Sequence, residues 1–102
     1  MPHWIPLANV ADCPPGHGLE LVASDRLVAL YNVDGEFYAL DGVCPHQGGP
    51  LGKGTLQGCV VTCPWHGWQF DVRDGQSQLN PRLQQPRFDV RVEGDTVMIN
   101  LE

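Results

Sequence analysis

The chain of 102 residues reads as one all-β domain spanning residues 1–102, built as an antiparallel sandwich or barrel. Three observations predict this. About eight to nine short runs are rich in β-branched and aromatic residues. Glycine- and aspartate-bearing turns separate them at short intervals, and almost no stretch sustains a helical period.

Trp4 to Leu7 starts the series as a short strand. Ala8 to Cys13 follows with room for one helical turn before Pro14, Pro15 and Gly16 stop it. Leu19 to Ala23 and Leu27 to Val33 are β-rich, and Asp34-Gly35 is a two-residue hairpin turn into Phe37 to Leu40. That hairpin leads directly into Cys44. Tyr31, Phe37 and Tyr38 along it read as packing residues. Thr55 to Gln57, Cys59 to Thr62 and Trp68 to Val72 are three further short strands. Gln76 to Gln85 is polar, contains Pro81 and ends at Pro86. Arg87 to Glu93 alternates with Phe88, Val90 and Val92 on one face, and Gly94-Asp95 turns it into Thr96 to Leu101.

Two motifs between these strands carry the chemistry, CPHQGGPLG at 44–52 and CPWHGWQFD at 63–71. Each places one cysteine close to one histidine, Cys44 with His46 and Cys63 with His66. Thiolate and neutral imidazole are the donors that zinc, copper and iron–sulfur clusters select, and both loops lack carboxylates until Asp71, which excludes calcium and magnesium. A Cys-x-His pair cannot readily close both side chains on one small ion, because residues two apart in an extended segment point the same way with separated tips. Such a pair suits two metals side by side. In a two-iron, two-sulfide cluster one iron could take both thiolates and the other both imidazoles. Gly48 and Gly49 would let backbone amides approach the bridging sulfides.

The arrangement Cys-x-His, sixteen residues, Cys-x-x-His resembles the Rieske iron–sulfur family. The surrounding Pro45, Gly48, Pro50, Leu51, Pro64, Gly67, Trp68, Phe70 and Asp71 extend the resemblance, which runs weakly along nearly the whole chain. It implies the Rieske fold, stacked antiparallel sheets with a small cluster-binding subdomain at one tip, here about residues 42–72. It also implies one 2Fe-2S cluster, with Cys44 and Cys63 on the inner iron and His46 and His66 on the outer iron near the surface. Pro81 is the candidate for the proline-containing third loop that shields one side of the cluster in that family.

High-potential members of the family resemble CTHLGC with CPCHGSHYD, whose extra cysteines bridge the loops. Gly49 and Trp65 stand at those positions here, so that bridge cannot form. The hydroxyl donors of that pattern are replaced by Trp68 and Phe70, which places the expected potential at the low end of a family range of roughly −150 to +300 mV. A structural zinc site of two cysteines and two histidines is the competing reading of the same ligands, although zinc fingers usually space each pair more widely. The spacing of Cys13, Cys44, Cys59 and Cys63 does not fit a plant-type ferredoxin.

The net charge of −6 disfavours nucleic acid and anionic membranes as partners. No apolar run reaches membrane-spanning length and the first residues lack a signal pattern, so a cytoplasmic location is expected, with Cys13 and Cys59 as free thiols. Cys59 is expected to face a core and Cys13 to lie exposed in its turn, and His3 and His17 read as surface residues. With one short domain and Gln47 after the first histidine, where oxygenase large subunits typically carry arginine, the expected function is a stand-alone electron carrier rather than an enzyme. It would pass single electrons from a flavoprotein reductase to a terminal oxygenase or another redox enzyme. Pro45, Gln47, Pro50, Leu51, Pro64 and Trp65 would form a partly apolar docking rim. The CPWHGWQFD loop also resembles the small Rieske-like subunit of assimilatory nitrite reductases, which is the rival function.

Overall fold

A computed structural model describes residues 3–44, 48–65 and 67–101. Among them are ten strands: β1 Trp4–Asn9, β2 Gly18–Ala23, β3 Arg26–Val33, β4 Glu36–Asp41, β5 Thr55–Gln57, β6 Val60–Thr62, β7 Gln69–Asp71, β8 Arg87–Phe88, β9 Val90–Glu93 and β10 Thr96–Asn100. All pairings are antiparallel, in three sheets ordered β1-β10-β9, β2-β3-β4-β8 and β5-β6-β7. Among the described residues helix is confined to single 3-10 turns, Val10–Asp12 and Leu51–Lys53. The all-β antiparallel expectation is therefore met.

The β3–β4 hairpin turns where the sequence places it. Asp34 and Gly35 both adopt positive φ, 52° and 94°, as a tight two-residue connection between Val33 and Glu36 requires. Asn32 reinforces the turn by accepting the Gly35 N–H at 2.7 Å.

β3 is buried on both faces, which is why it reads as an almost continuous apolar run. Its period of two sends Ala29 and Tyr31 into one core and Val28 and Leu30 into another. The first core also takes Leu40, Leu51, Val61, Phe70 and Val72, together with Cys44 and Cys63. The second takes Cys13, Ala23, Ala39, Val97 and Ile99. Each fully buried Leu or Val side chain contributes roughly 1.5–3 kcal/mol through removal from water. β3 and β4 thus form the wall on which the cysteine-bearing loops rest.

Three sequence expectations are corrected. The run Arg87 to Glu93 is two strands, because the chain changes sheets at Asp89: Phe88 pairs with Ala39 of β4, whereas Val90 pairs with Ile99 of β10. Val92, on the same strand as Val90, is 47% exposed, whereas Val90 packs against the second core. Cys13 is fully buried, not exposed. The buried Asn32 donates to the Cys13 carbonyl at 2.8 Å and holds the residue under the second core, so the exposed Pro-Pro-Gly turn begins only after it. Cys59 sits in the Gly58-Cys59 turn before β6 and is only half-buried, so it does not share the burial of Val61.

Candidate metal centre

Both motif loops are closed by the same device. The Cys44 N–H donates to the Gly49 carbonyl at 2.9 Å, and the Cys63 N–H donates to the Trp68 carbonyl at 2.7 Å. In each loop the acceptor lies five residues after the cysteine, and the residue before it is a glycine at φ +74°, Gly48 in the first loop and Gly67 in the second. A positive φ there reverses the chain at no side-chain cost. Two sequence-distinct motifs thus fold into matching loops, each with a cysteine at its base.

Each loop is anchored by regular structure. The first is bracketed by the Val43–Pro50 bridge and by Leu51 N–H donating to the Gly42 carbonyl at 3.0 Å. The second caps the β6–β7 hairpin, whose last pair is Thr62–Gln69. Rigid sheet below and short loop above is the usual way a fold fixes site residues.

The cysteines are deep and the loop ends are not. Cys44 and Cys63 are each 1% exposed and share one core, while Gly48 and Pro64 are exposed and Trp65 is 49% exposed. None of the four cysteines forms a disulfide. Cys13 and Cys59 lie outside the core that holds the predicted pair. His46 and His66, with Pro45 and Gln47, lie outside the described residues. The cysteine end of the donor set fits a two-iron cluster: two buried thiols from matching loops, with a glycine where the loops meet. A Cβ added to Gly49 would come within 2.8 Å of the Cys63 sulfur and 3.0 Å of Trp65 Cγ, so the space between the loops admits no side chain there.

Tyr31 supports the pair from beneath. It is fully buried, and its hydroxyl donates to the Leu51 carbonyl at 2.8 Å. Burial pushes the phenol pKa well up, and the nearby Cys63 and Cys44 add to the shift. The phenol therefore stays neutral and acts as a donor. Leu51 itself is 0% exposed, which removes it from the expected docking rim. The 3-10 turn that starts there drives its side chain into the first core, while Pro50 and Trp65 retain exposed surface.

The third loop adds contacts that sequence reasoning missed. Pro81 is exposed, and the residue that packs against the cysteine-bearing core is Leu83. Gln76 organises the loop from within, its side-chain amide donating to the Pro81 and Leu83 carbonyls at 3.1 and 3.2 Å. The Gln78 N–H donates to the Gln69 carbonyl at 2.9 Å and joins this loop to the second motif. Asp71, closing that motif, accepts the Arg73 backbone N–H and two guanidinium bonds, and the Arg73 side chain holds its carboxyl below the ordinary range.

An all-β scaffold with two buried cysteines from separate loops in one core fits a class of iron–sulfur proteins, and comparison with known proteins agrees. The Rieske [2Fe-2S] domain family matches residues 3–98, and the chain belongs to that family. The ferredoxin component of a naphthalene 1,2-dioxygenase system from Pseudomonas aeruginosa is 35% identical over 99 residues, covering 96% of this chain and 95% of the relative. The Sphingomonas yanoikuyae B1 ferredoxin superposes with a TM-score of 0.89 at 28% identity, covering 98% of this chain and 100% of the other. A chain from the complex of reduced oxygenase and oxidized ferredoxin in carbazole 1,9a-dioxygenase superposes with a TM-score of 0.87 at 29% identity, covering 95% and 92%. No helix among the described residues is long and apolar enough to cross a membrane.

Proposed function

We propose that Cys44, Cys63, His46 and His66 hold one 2Fe-2S cluster and that the chain is a low-potential, one-electron carrier, not a catalyst. The two cysteines take the inner iron and the two histidines the outer iron. One observation carries the reading: Cys44 and Cys63 lie at equivalent points of matching loops within one buried core. The cluster supplies reversible uptake of a single electron, which mixed sulfur and nitrogen ligation favours over four thiolates.

The chain's own residues do the rest. Leu51, Phe70 and Leu83 exclude water from the cysteine side, and Tyr31 locks the turn after the first loop. Neither Trp68 nor Phe70 offers a hydroxyl to the bridging sulfurs, which keeps the potential low. Pro50, Pro64 and Trp65 frame the docking rim; Pro45 and Gln47, also expected there, lie outside the described residues. The partners are a flavoprotein reductase and a terminal oxygenase, in keeping with the dioxygenase systems to which the relatives belong. The chain works as one domain of residues 1–102, its cluster subdomain about 42–72, in the cytoplasm.

Purification without oxygen tests this. Iron and acid-labile sulfide are expected in equal amounts, with a Rieske-type magnetic signal after reduction that is lost in His46→Ala and His66→Ala. A colourless protein holding only zinc would refute the cluster. Transfer of electrons from a flavoprotein reductase to a ring-hydroxylating oxygenase supports the carrier role, whereas co-purification with a sirohaem subunit would move the chain to nitrite reduction.

A further inference from the structure

Gln85 occupies an unusual position for a residue in a polar loop: it is 2% exposed. Its side-chain amide nitrogen lies 2.7 Å from both the Asp41 and the Val43 carbonyls. Both partners are acceptors, so both amide hydrogens are used and the orientation of the group is fixed. Its backbone N–H donates to the Gly75 carbonyl at 2.7 Å, and the next residue, Pro86, accepts the Asp41 N–H at 2.8 Å. Gly75, at φ +82°, packs so closely on the Gln85 carbonyl that no side chain fits there. The third loop is thus fastened, through one side chain, to the two carbonyls that flank the entry to Cys44.

The Val43 carbonyl belongs to the peptide whose N–H is that of Cys44, and that N–H closes the first loop onto Gly49 at 2.9 Å. Gln85 amide, Val43–Cys44 peptide and Gly49 carbonyl form a chain of hydrogen bonds in which each link polarises the next. We propose that Gln85 is a positioning residue that clamps the Cys44 loop closed against the third loop, and so governs how tightly the cluster is retained and how much water reaches it. This rests on the reading of Cys44 as a ligand.

Gln85→Met keeps the length of the side chain and removes both donors. Gln84→Met is the control for loss of an equally short bond, because the exposed Gln84 donates at the same 2.7 Å to the Asp74 carbonyl, within its own loop region and away from Cys44. In Gln85→Met, release of iron to a chelator is expected to be roughly tenfold faster, since the Asp41 and Val43 carbonyls, half-buried in these bonds, both lose their donor. The midpoint potential should move to more positive values, because water favours the more negative, reduced cluster. Amide hydrogen exchange in the peptide covering 41–44 should also quicken. Gln84→Met should match the parent in all three measurements. Equal behaviour of the two variants, whether parental or impaired, would overturn the clamp. If Gln85→Met does not fold, the unaltered protein decides: the Cys44 amide should exchange no faster than those of β3, and exchange about a hundredfold faster would overturn the proposal. Absence of iron from every form, with the exchange contrast intact, would instead count against the cluster assignment alone.

Discussion

Gly49 stands so close to Cys63 that a methyl group on it would lie 2.8 Å from the sulfur, with Trp65 behind it at 3.0 Å. With Trp65 in the second loop, the first loop makes this close approach because position 49 has no side chain. With Cys63 as an iron ligand, as proposed, its sulfur could not step aside, so Gly49→Ala is expected to force the loops apart and lower iron and sulfide per chain to well under half the parental content. Metal analysis of the purified variant, with circular dichroism to show that the sheets persist, checks this. Full iron occupancy in a folded variant would contradict it.

The parts of this arrangement that were legible in the sequence are those set by local rules. Asp34-Gly35 announces its hairpin because few residues other than glycine, asparagine and aspartate tolerate positive φ. The two Cys-His motifs announce a metal because the donor types are distinctive. What stayed hidden depends on partners distant in the chain. The change of sheet at Asp89 leaves the alternation of Phe88 and Val90 intact, so period alone could not separate β8 from β9. The burial of Cys13 is decided by Asn32, and that of Leu51 by a turn packed on Tyr31. Gln85 looked like one more polar loop residue, and only the fold brings it to Val43.

Tyr31 and Leu51 are joined by a hydrogen bond in the core beneath the cysteines, and its removal has a bounded cost. Tyr31→Phe keeps the ring and loses the donor. The Leu51 carbonyl still accepts the Gly54 N–H at 3.0 Å, so the group is not orphaned and the loss should be about 1 kcal/mol. Urea unfolding followed by fluorescence measures it. A loss of several kcal/mol would mean that the hydroxyl has a second role.

Cys13 should give the protein an alkaline weakness. Burial raises its thiol pKa above the ordinary 9.0, outweighing the backbone hydrogen bond from Asn32 that lowers it. The folded state therefore holds this proton more tightly than the unfolded chain. Its stabilising effect is complete below the unfolded pKa and is lost as pH rises through the folded one. Between about pH 8 and about pH 10 the urea midpoint should fall, and Cys13→Val should flatten part of that fall. In native protein at neutral pH a thiol reagent should label the half-buried Cys59 and leave Cys13 unmodified. Rapid labelling of Cys13 would show that the second core opens there.

Asp71 gives the opposite limb. Its carboxyl is held below the ordinary carboxylate range chiefly by the hydrogen bond from the Arg73 side chain; burial opposes this, and the Arg73 backbone N–H and positive charge add to it. A depressed folded pKa means that the unfolded state binds the proton more readily, so the contribution is present above the ordinary carboxylate range and disappears as pH falls through the folded value. Arg73 is largely exposed, at 58%, so solvent and salt screen the pair and the effect is modest. Asp71→Asn keeps an acceptor for the Arg73 N–H while removing the charge. Its stability should lie below that of the parent at about pH 7, and the difference should shrink in acid, as pH falls through the folded value and the parental carboxyl takes up its proton. Urea unfolding at the two pH values, repeated in high salt, checks the assignment. A difference that stays constant across this range would place the effect in packing rather than in charge.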